Sequence, residues 1–193
     1  MKKTLIALAL GAGLASAALA TPVQWTSAMG GNDHWYEYVS TPLTWQASAT
    51  AAAASNYSGM QGYLATLTSS AENLFASALA MSPTGGLVTA WFGLTDEKDE
   101  GIFRWIDGPE AGQTAVFTSW TGGEPNNCCG GEDYAHTNWA GLGMWNDIGA
   151  PAFPDYAHGY LVEYSAAPIP EPMTLALVLP ALLAAGYASR RRA

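Results

Sequence analysis

The sequence predicts an α+β fold of two short helices and antiparallel sheets around one long loop. The helix signals lie before Gly85-Gly86, whereas most β-prone runs follow it, at residues 87–95, 102–106, 134–137, 143–148 and 158–164. Residues 120–133 are rich in Gly, Pro, Asn and acid and keep no regular period, as a loop does.

The elements follow in order. Residues 34–39, HWYEYV, are aromatic and β-prone and predict a first strand. Thr41-Pro42 resembles an N-cap with proline at the first helical position, so the Ala-rich run to about Ser55 predicts a helix. A short apolar segment at 60–67 surrounds Gly62. Ser69 followed by Glu72 matches a capping box. Ala71, Leu74, Phe75, Ala78 and Leu79 then share one helical face, which predicts a second helix over about 70–81. The runs 87–95 and 102–106 are strands across the polar turn 96–101, and the last three runs close the domain. Trp91, Trp105, Trp120 and Trp145 are expected in the core.

The chain has 193 residues, enough for one ordinary domain plus addressing segments. Five of its seven basic residues are Lys2, Lys3 and Arg190 to Arg192. Residues 21–168 therefore hold two basic against fifteen acidic side chains, a net of −13. That excludes a nucleic-acid binder, which needs a basic footprint. Eight Trp, nine Tyr and five Phe at 12% charged residues argue against disorder. The expected partners are cations, neutral polar molecules or a basic surface.

Both ends read as addresses. Residues 1–20 carry Lys2-Lys3, an apolar stretch and Ala18-Leu19-Ala20, the pattern of a signal peptide, and 21–30 read as a linker. At the other end, residues 166–193 begin with a stiff proline-rich spacer. Residues 173–188 carry no charge and precede Arg190-Arg191-Arg192. As a helix, sixteen residues reach about 24 Å, short of a hydrocarbon core of roughly 30 Å. A plain membrane anchor with a cytoplasmic C-terminus is one reading. The order Pro170-Glu171-Pro172, apolar span, arginine cluster closely resembles the PEP-CTERM sorting signal of Gram-negative bacteria. That resemblance implies transient residence in the inner membrane, cleavage by an exosortase-type enzyme, and release to the cell surface or extracellular matrix.

Three groups of oxygen donors lie in the second half. Asp96, Glu97, Asp99 and Glu100 share a turn; Glu124, Asn126, Asn127, Glu132 and Asp133 share the long loop; Asn146 and Asp147 follow Trp145. Two like charges about 4 Å apart cost on the order of 4 kcal/mol at an effective dielectric near 20. Several converging carboxylates with only Lys98 nearby therefore require a counter-ion, and hard oxygen donors suit Ca²⁺. Zinc and copper are poorly served, because sulfur occurs only at Cys128-Cys129 and the histidines are scattered. Taken singly, Glu97, Asp99 and Asp107 read as solvated loop acids.

The runs Trp91-Phe92-Gly93-Leu94, Gly101-Ile102-Phe103-Arg104-Trp105, Gly123-Glu124-Pro125-Asn126, Gly131-Glu132-Asp133 and Trp145-Asn146-Asp147 together resemble a C-type lectin domain over about residues 31–165. The resemblance implies a primary calcium site at Glu124, Asn126, Glu132, Asn146, Asp147 and the Asp147 carbonyl. It implies an auxiliary site, less complete, at Asp96, Glu100, Asn127, Asp133 and the Glu132 carbonyl. Carbohydrate would be bound by Glu124, Asn126, Glu132 and Asn146, the acids accepting hydroxyl protons and the amides donating. The Glu-Pro-Asn order resembles members that prefer mannose- or glucose-type hydroxyls, and the peptide before Pro125 is expected to be cis. The two disulfides usual in animal relatives are missing, with Tyr134 and Val162 at corresponding positions. The adjacent Cys128-Cys129 pair can close a vicinal ring, bridge to another chain, or stay reduced.

Catalysis is not expected. No G-x-S-x-G occurs, and carboxylates committed to calcium are held ionised and make poor general acids. His136 and His158 read as structural or exposed. Two functions remain: an exported calcium-dependent lectin retaining matrix exopolysaccharide, or a calcium-stabilised lectin-like fold serving as a structural or protein-binding matrix component.

Overall fold

The structure, a computed structural model, describes residues 21–149 and 157–166. The expected signal peptide and the sorting segment with Pro170, Glu171 and Pro172 lie outside these residues. Among the described residues no helix is long and apolar enough to cross a membrane.

The elements are β1 (Val23–Gln24), β2 (Trp35–Val39), α1 (Trp45–Ala54), β3 (Asn56–Tyr57), β4 (Met60–Leu64), α2 (Ser70–Ala78), β5 (Ala90–Thr95), β6 (Arg104–Trp105), β7 (Tyr134–Thr137), β8 (Asn146–Ile148) and β9 (Tyr160–Tyr164). Both helices and the run of strands agree with the sequence expectation. The strands are shorter than their apolar runs, because pairing ends where turns begin. The main sheet runs β1-β2-β9-β5-β7-β8, with β4 also on β9 and β6 on β5. Pairing between the named strands is antiparallel except where Trp91 of β5 meets Tyr160 of β9 in parallel, and an isolated parallel bridge joins Trp120 to Trp145. The stretch read as a linker contains β1, which pairs Val23 with Tyr36 of β2.

The first helix begins later than Thr41-Pro42 suggests. Thr44 is its N-cap, with Oγ1 accepting from the Ala47 N–H at 3.2 Å. That start places Trp45 inside, where its Nε1 donates to the Phe92 carbonyl at 2.8 Å. At α2 the Ser69 cap is as expected, accepting from the Glu72 N–H. Its buried face is not. Ala71, Leu74 and Ala78 are exposed, and Glu72, Asn73, Ala76 and Ser77 are buried. The Glu72 carboxylate does not return to Ser69; it accepts from the Thr68 N–H at 2.7 Å and the Tyr36 hydroxyl at 2.6 Å. Polar partners waiting in the core outcompeted the apolar stripe.

Two apolar clusters fill the domain. Tyr36, Phe92, Leu94, Trp105 and Trp145 belong to the first; Trp45, Leu64, Trp91, Tyr134, Tyr160 and Val162 belong to the second. Trp120 packs on the first from its rim. Tyr134 stacks on Trp45 with ring centroids 4.8 Å apart. Aromatic packing thus ties α1 to the sheet at positions where the resemblance would expect cysteine.

Candidate functional site

The loop between β6 and β7 is pinned from below by one buried carboxylate. Asp147, on β8 and almost fully buried, accepts from the backbone N–H groups of Asn126 at 3.2 Å and Asn127 at 3.0 Å. Trp145 holds the entrance: its carbonyl accepts from Thr121 N–H, and its own N–H donates to Ser119. The Glu124–Pro125 peptide is cis, as expected.

Beyond Asn126 the loop closes on its own side chains. The Cys128 N–H donates to Asn126 Oδ1 at 2.8 Å and to Glu132 Oε2 at 2.9 Å. The Glu132 N–H donates to Asn127 Oδ1 at 2.8 Å. Asn127, Cys129, Gly130 and Gly131 all have positive φ, which lets five residues turn back so tightly. At Gly149 a side chain would collide with the Gly131 carbonyl, so the loop end and β8 are in close contact. Cys128 and Cys129 are joined to each other, which resolves the three alternatives in favour of the vicinal ring.

Glu124, Asn126, Glu132 and Asn146 line one cavity of about 570 Å³. The Glu124 carboxyl is raised above its ordinary range by burial, then by the charge of Asp147 and, more weakly, that of Glu132. Glu132 is raised by burial and by Asp147, against the lowering hydrogen bond from Cys128. Glu124 Oε2 is buried and has no hydrogen-bond partner. Asn146 Nδ2 donates to the Asp147 carbonyl at 2.7 Å and lies 3.3 Å from His136 Nε2. His136 is fully buried, and burial lowers its pKa to about 4; with the neutral ring's proton on Nδ1, facing the Thr137 carbonyl at 3.4 Å, Nε2 accepts that amide hydrogen. Asn146 is thereby left to present its oxygen.

The second acid group gathers at the end of β5. The Asp96 N–H donates to the Asp133 carbonyl at 3.2 Å, and Asp96 Oδ2 accepts from Gly101 N–H at 2.8 Å. Burial raises the Asp96 pKa to about 6; the Gly101 bond opposes this, and the charges of Glu100 and Asp133 add to it. Asp96 Oδ1 is buried without a partner. Asn127 is not seen to join this group, since its oxygen serves the Glu132 amide. Glu97 and Asp99 are exposed, as solvated acids are, with Asp99 paired to Arg104 at 3.2 Å.

Among the described residues no three His, Cys, Asp or Glu side chains form a metal cage by themselves. The cavity set is different in kind: two Glu and two Asn line it with carboxylate and amide oxygens, and Asp147 lies buried beneath, bonded to the loop's backbone. Such hard donors, with a buried carboxylate oxygen lacking any partner in each group, could hold a Ca²⁺-like cation. Sequence reasoning assigned no site role to four residues here: Cys128, Cys129 and Trp139, which line the same cavity, and His136, which orients Asn146. Trp139 carried a signal, because it is a large aromatic in the glycine-containing turn between the β-prone runs 134–137 and 143–148.

The chain resembles known proteins in sequence and in fold. Residues 41–149 match the Lectin C-type domain family. Halomucin of Haloquadratum walsbyi is 34% identical over 140 residues, covering 68% of this chain and 1% of that protein. The hepatic lectin of Gallus gallus is 48% identical over 58 residues, covering 30% of this chain and 26% of that protein. The chain therefore spans only a small part of these curated relatives. Among solved structures, the C-type lectin CEL-I from Cucumaria echinata is 27% identical, with a TM-score of 0.57 over 70% of this chain and 92% of that one. Such domains are typically binding modules without enzymatic activity, and generally bind carbohydrate. By sequence and by fold, the chain belongs to the C-type lectin domain family.

Proposed function

We propose that the chain is an exported, calcium-dependent carbohydrate-binding protein of a bacterial surface or matrix, selective for mannose- or glucose-type sugars. The observation that carries this reading is the convergence of Glu124, Asn126, Glu132 and Asn146 on one cavity, with the Glu124 Oε2 buried and unpartnered. Glu124, Asn126, Glu132, Asn146 and Asp147 would hold the primary Ca²⁺. Asp96, Glu100 and Asp133 would hold the auxiliary one, with Asn127 a weaker contributor because its amide brings no charge. Bound calcium would supply a hard Lewis-acid centre for two vicinal hydroxyls.

The protein's own groups do the selecting. Glu124 and Glu132 can only accept, so they take hydroxyl protons. Asn126 keeps its amide nitrogen free for donation while its oxygen serves the Cys128 N–H. Export and surface delivery rest on the sequence of residues 1–20 and of the tail, where exosortase-type processing would act on an inner-membrane precursor. One shallow site binds weakly, so useful retention of exopolysaccharide needs many copies on a repetitive glycan.

Calorimetry with Ca²⁺, followed by mannose against galactose, tests the reading. Calcium-dependent binding with mannose ahead of galactose is expected. Sugar binding that persists in excess EGTA sinks it. A calcium-induced rise in melting temperature with no sugar bound would instead favour the structural or protein-binding role.

A further inference from the structure

A pyranose offers two kinds of surface, hydroxyl edges and C–H faces. The Glu and Asn groups of the cavity can grip only the edges. What remains of its lining includes Cys128, Cys129, Trp139 and Ile148, none of which can accept a strong hydrogen bond from a hydroxyl. Trp139 is 47% exposed, whereas Trp25, Trp45, Trp91, Trp105 and Trp145 are all buried. An indole left in solvent beside a polar cavity is an unsatisfied apolar surface. Its ring is held edge-on by His136, centroids 5.5 Å apart at 85°, and His136 itself is immobilised in the core.

The cysteines are just as open to solvent. Joined, they carry no thiol donor and present two polarisable sulfur atoms. Gly130 and Gly131, which follow, have no side chains to cover them. The bonds from the Cys128 N–H to Asn126 Oδ1 and Glu132 Oε2 fix the sulfur pair relative to two of the polar groups.

We propose that the Cys128–Cys129 disulfide and Trp139 form the apolar contact surface of the sugar cavity, gripping a pyranose by its C–H face. This inference rests on the carbohydrate-binding reading above and names the part of the ligand its polar residues leave unheld. The matching ligand class is a pyranose whose hydroxyls are largely equatorial, since axial hydroxyls interrupt the C–H face.

The test compares the intact protein with Cys128→Ser/Cys129→Ser, Cys128→Ala/Cys129→Ala and Trp139→Ala. Each is titrated with Ca²⁺, melted with and without it, and titrated with methyl β-glucoside, all of whose substituents are equatorial, in saturating Ca²⁺. Loss of one aromatic or sulfur contact should weaken sugar binding about five- to tenfold while calcium affinity stays within about twofold. The alanine pair should lose less than the serine pair, because it remains apolar. Should the cysteine variants lose the calcium-induced melting rise, Trp139→Ala alone decides, as it leaves the loop untouched. Sugar affinity within about twofold of the parent in Trp139→Ala overturns the proposal while the lectin reading stands. A parent that binds calcium but no sugar overturns both.

Discussion

Glu124 sits in an unresolved electrostatic conflict, with one oxygen buried and unbonded while Asp147 and Glu132 lie close enough to raise its pKa. Glu124→Gln removes one charge from that trio. Without calcium its melting temperature should rise above the parent's. In calcium the order should reverse, and sugar affinity should fall on the order of 10- to 100-fold, as lost charge-assisted bonds predict. Paired thermal melts and sugar titrations check both halves; a variant less stable than the parent in EGTA contradicts the conflict. A second titration lies far from this loop. His34 Nδ1 meets the buried Glu163 Oε1 at 2.6 Å. Burial lowers the His34 pKa, but the Glu163 bond and charge, with Glu72 and Glu110, outweigh it and leave the pKa above 6.5. A raised folded-state pKa stabilises below the unfolded value and loses that contribution as pH climbs through the folded one. Urea midpoints should therefore fall as pH rises above about 6.5, and His34→Gln should flatten the fall; an equal slope in the variant removes His34 as its source. At this scale the residue types at 124, 126, 132, 146 and 147 were legible because oxygen donors in such density are conspicuous. The orientation of Asn146 was not, because it depends on a histidine ten residues away.

Helix α2 shows why periodicity can find an element and misplace its face. The spacing of Leu74 and Phe75 marked a helix, but the side turned inward carries Glu72, Asn73 and Ser77. Asn73 explains the choice: its Oδ1 accepts from Trp145 Nε1 at 2.8 Å, and its Nδ2 donates to the Gly143 carbonyl at 2.8 Å. Asn73→Leu adds apolar surface yet orphans both groups, so it should destabilise by about 2–5 kcal/mol. Chemical denaturation checks this; a neutral or stabilising result means the Trp145 N–H finds another partner. Ser69→Ala, which removes only the cap, should cost about 1 kcal/mol by the same measurement. Both effects belong to α2, and only Asn73 reaches the long loop, through Trp145, which bonds Ser119 and Thr121.

The described domain carries charge far from balance, and what offsets it is packing. Tyr134 against Trp45, and Val162 in the same cluster, tie helix to sheet without the bridges usual in animal relatives. Beyond Asn126 the long loop is tied by Asp147 and by its own short bonds. Calcium at about 100 times its Kd should add about 2.7 kcal/mol, a melting shift on the order of 10 °C. Sodium chloride should partly mimic it by screening the acids, though less, because buried charges are screened weakly. Differential scanning calorimetry in EGTA, salt and Ca²⁺ separates the two; no shift with Ca²⁺ removes calcium from the account. What the sequence alone determined was the α+β class, the two helices, the tryptophan core and the stock of oxygen donors, all carried by local spacing or residue chemistry. Tertiary structure alone decided which face α2 buries, the parallel contact at Trp91, the partner of each cysteine, and that Trp139 shares a cavity with Glu124. Those outcomes depend on which segments, distant in the chain, compete for the same space and the same hydrogen bonds, and no local pattern encodes that competition.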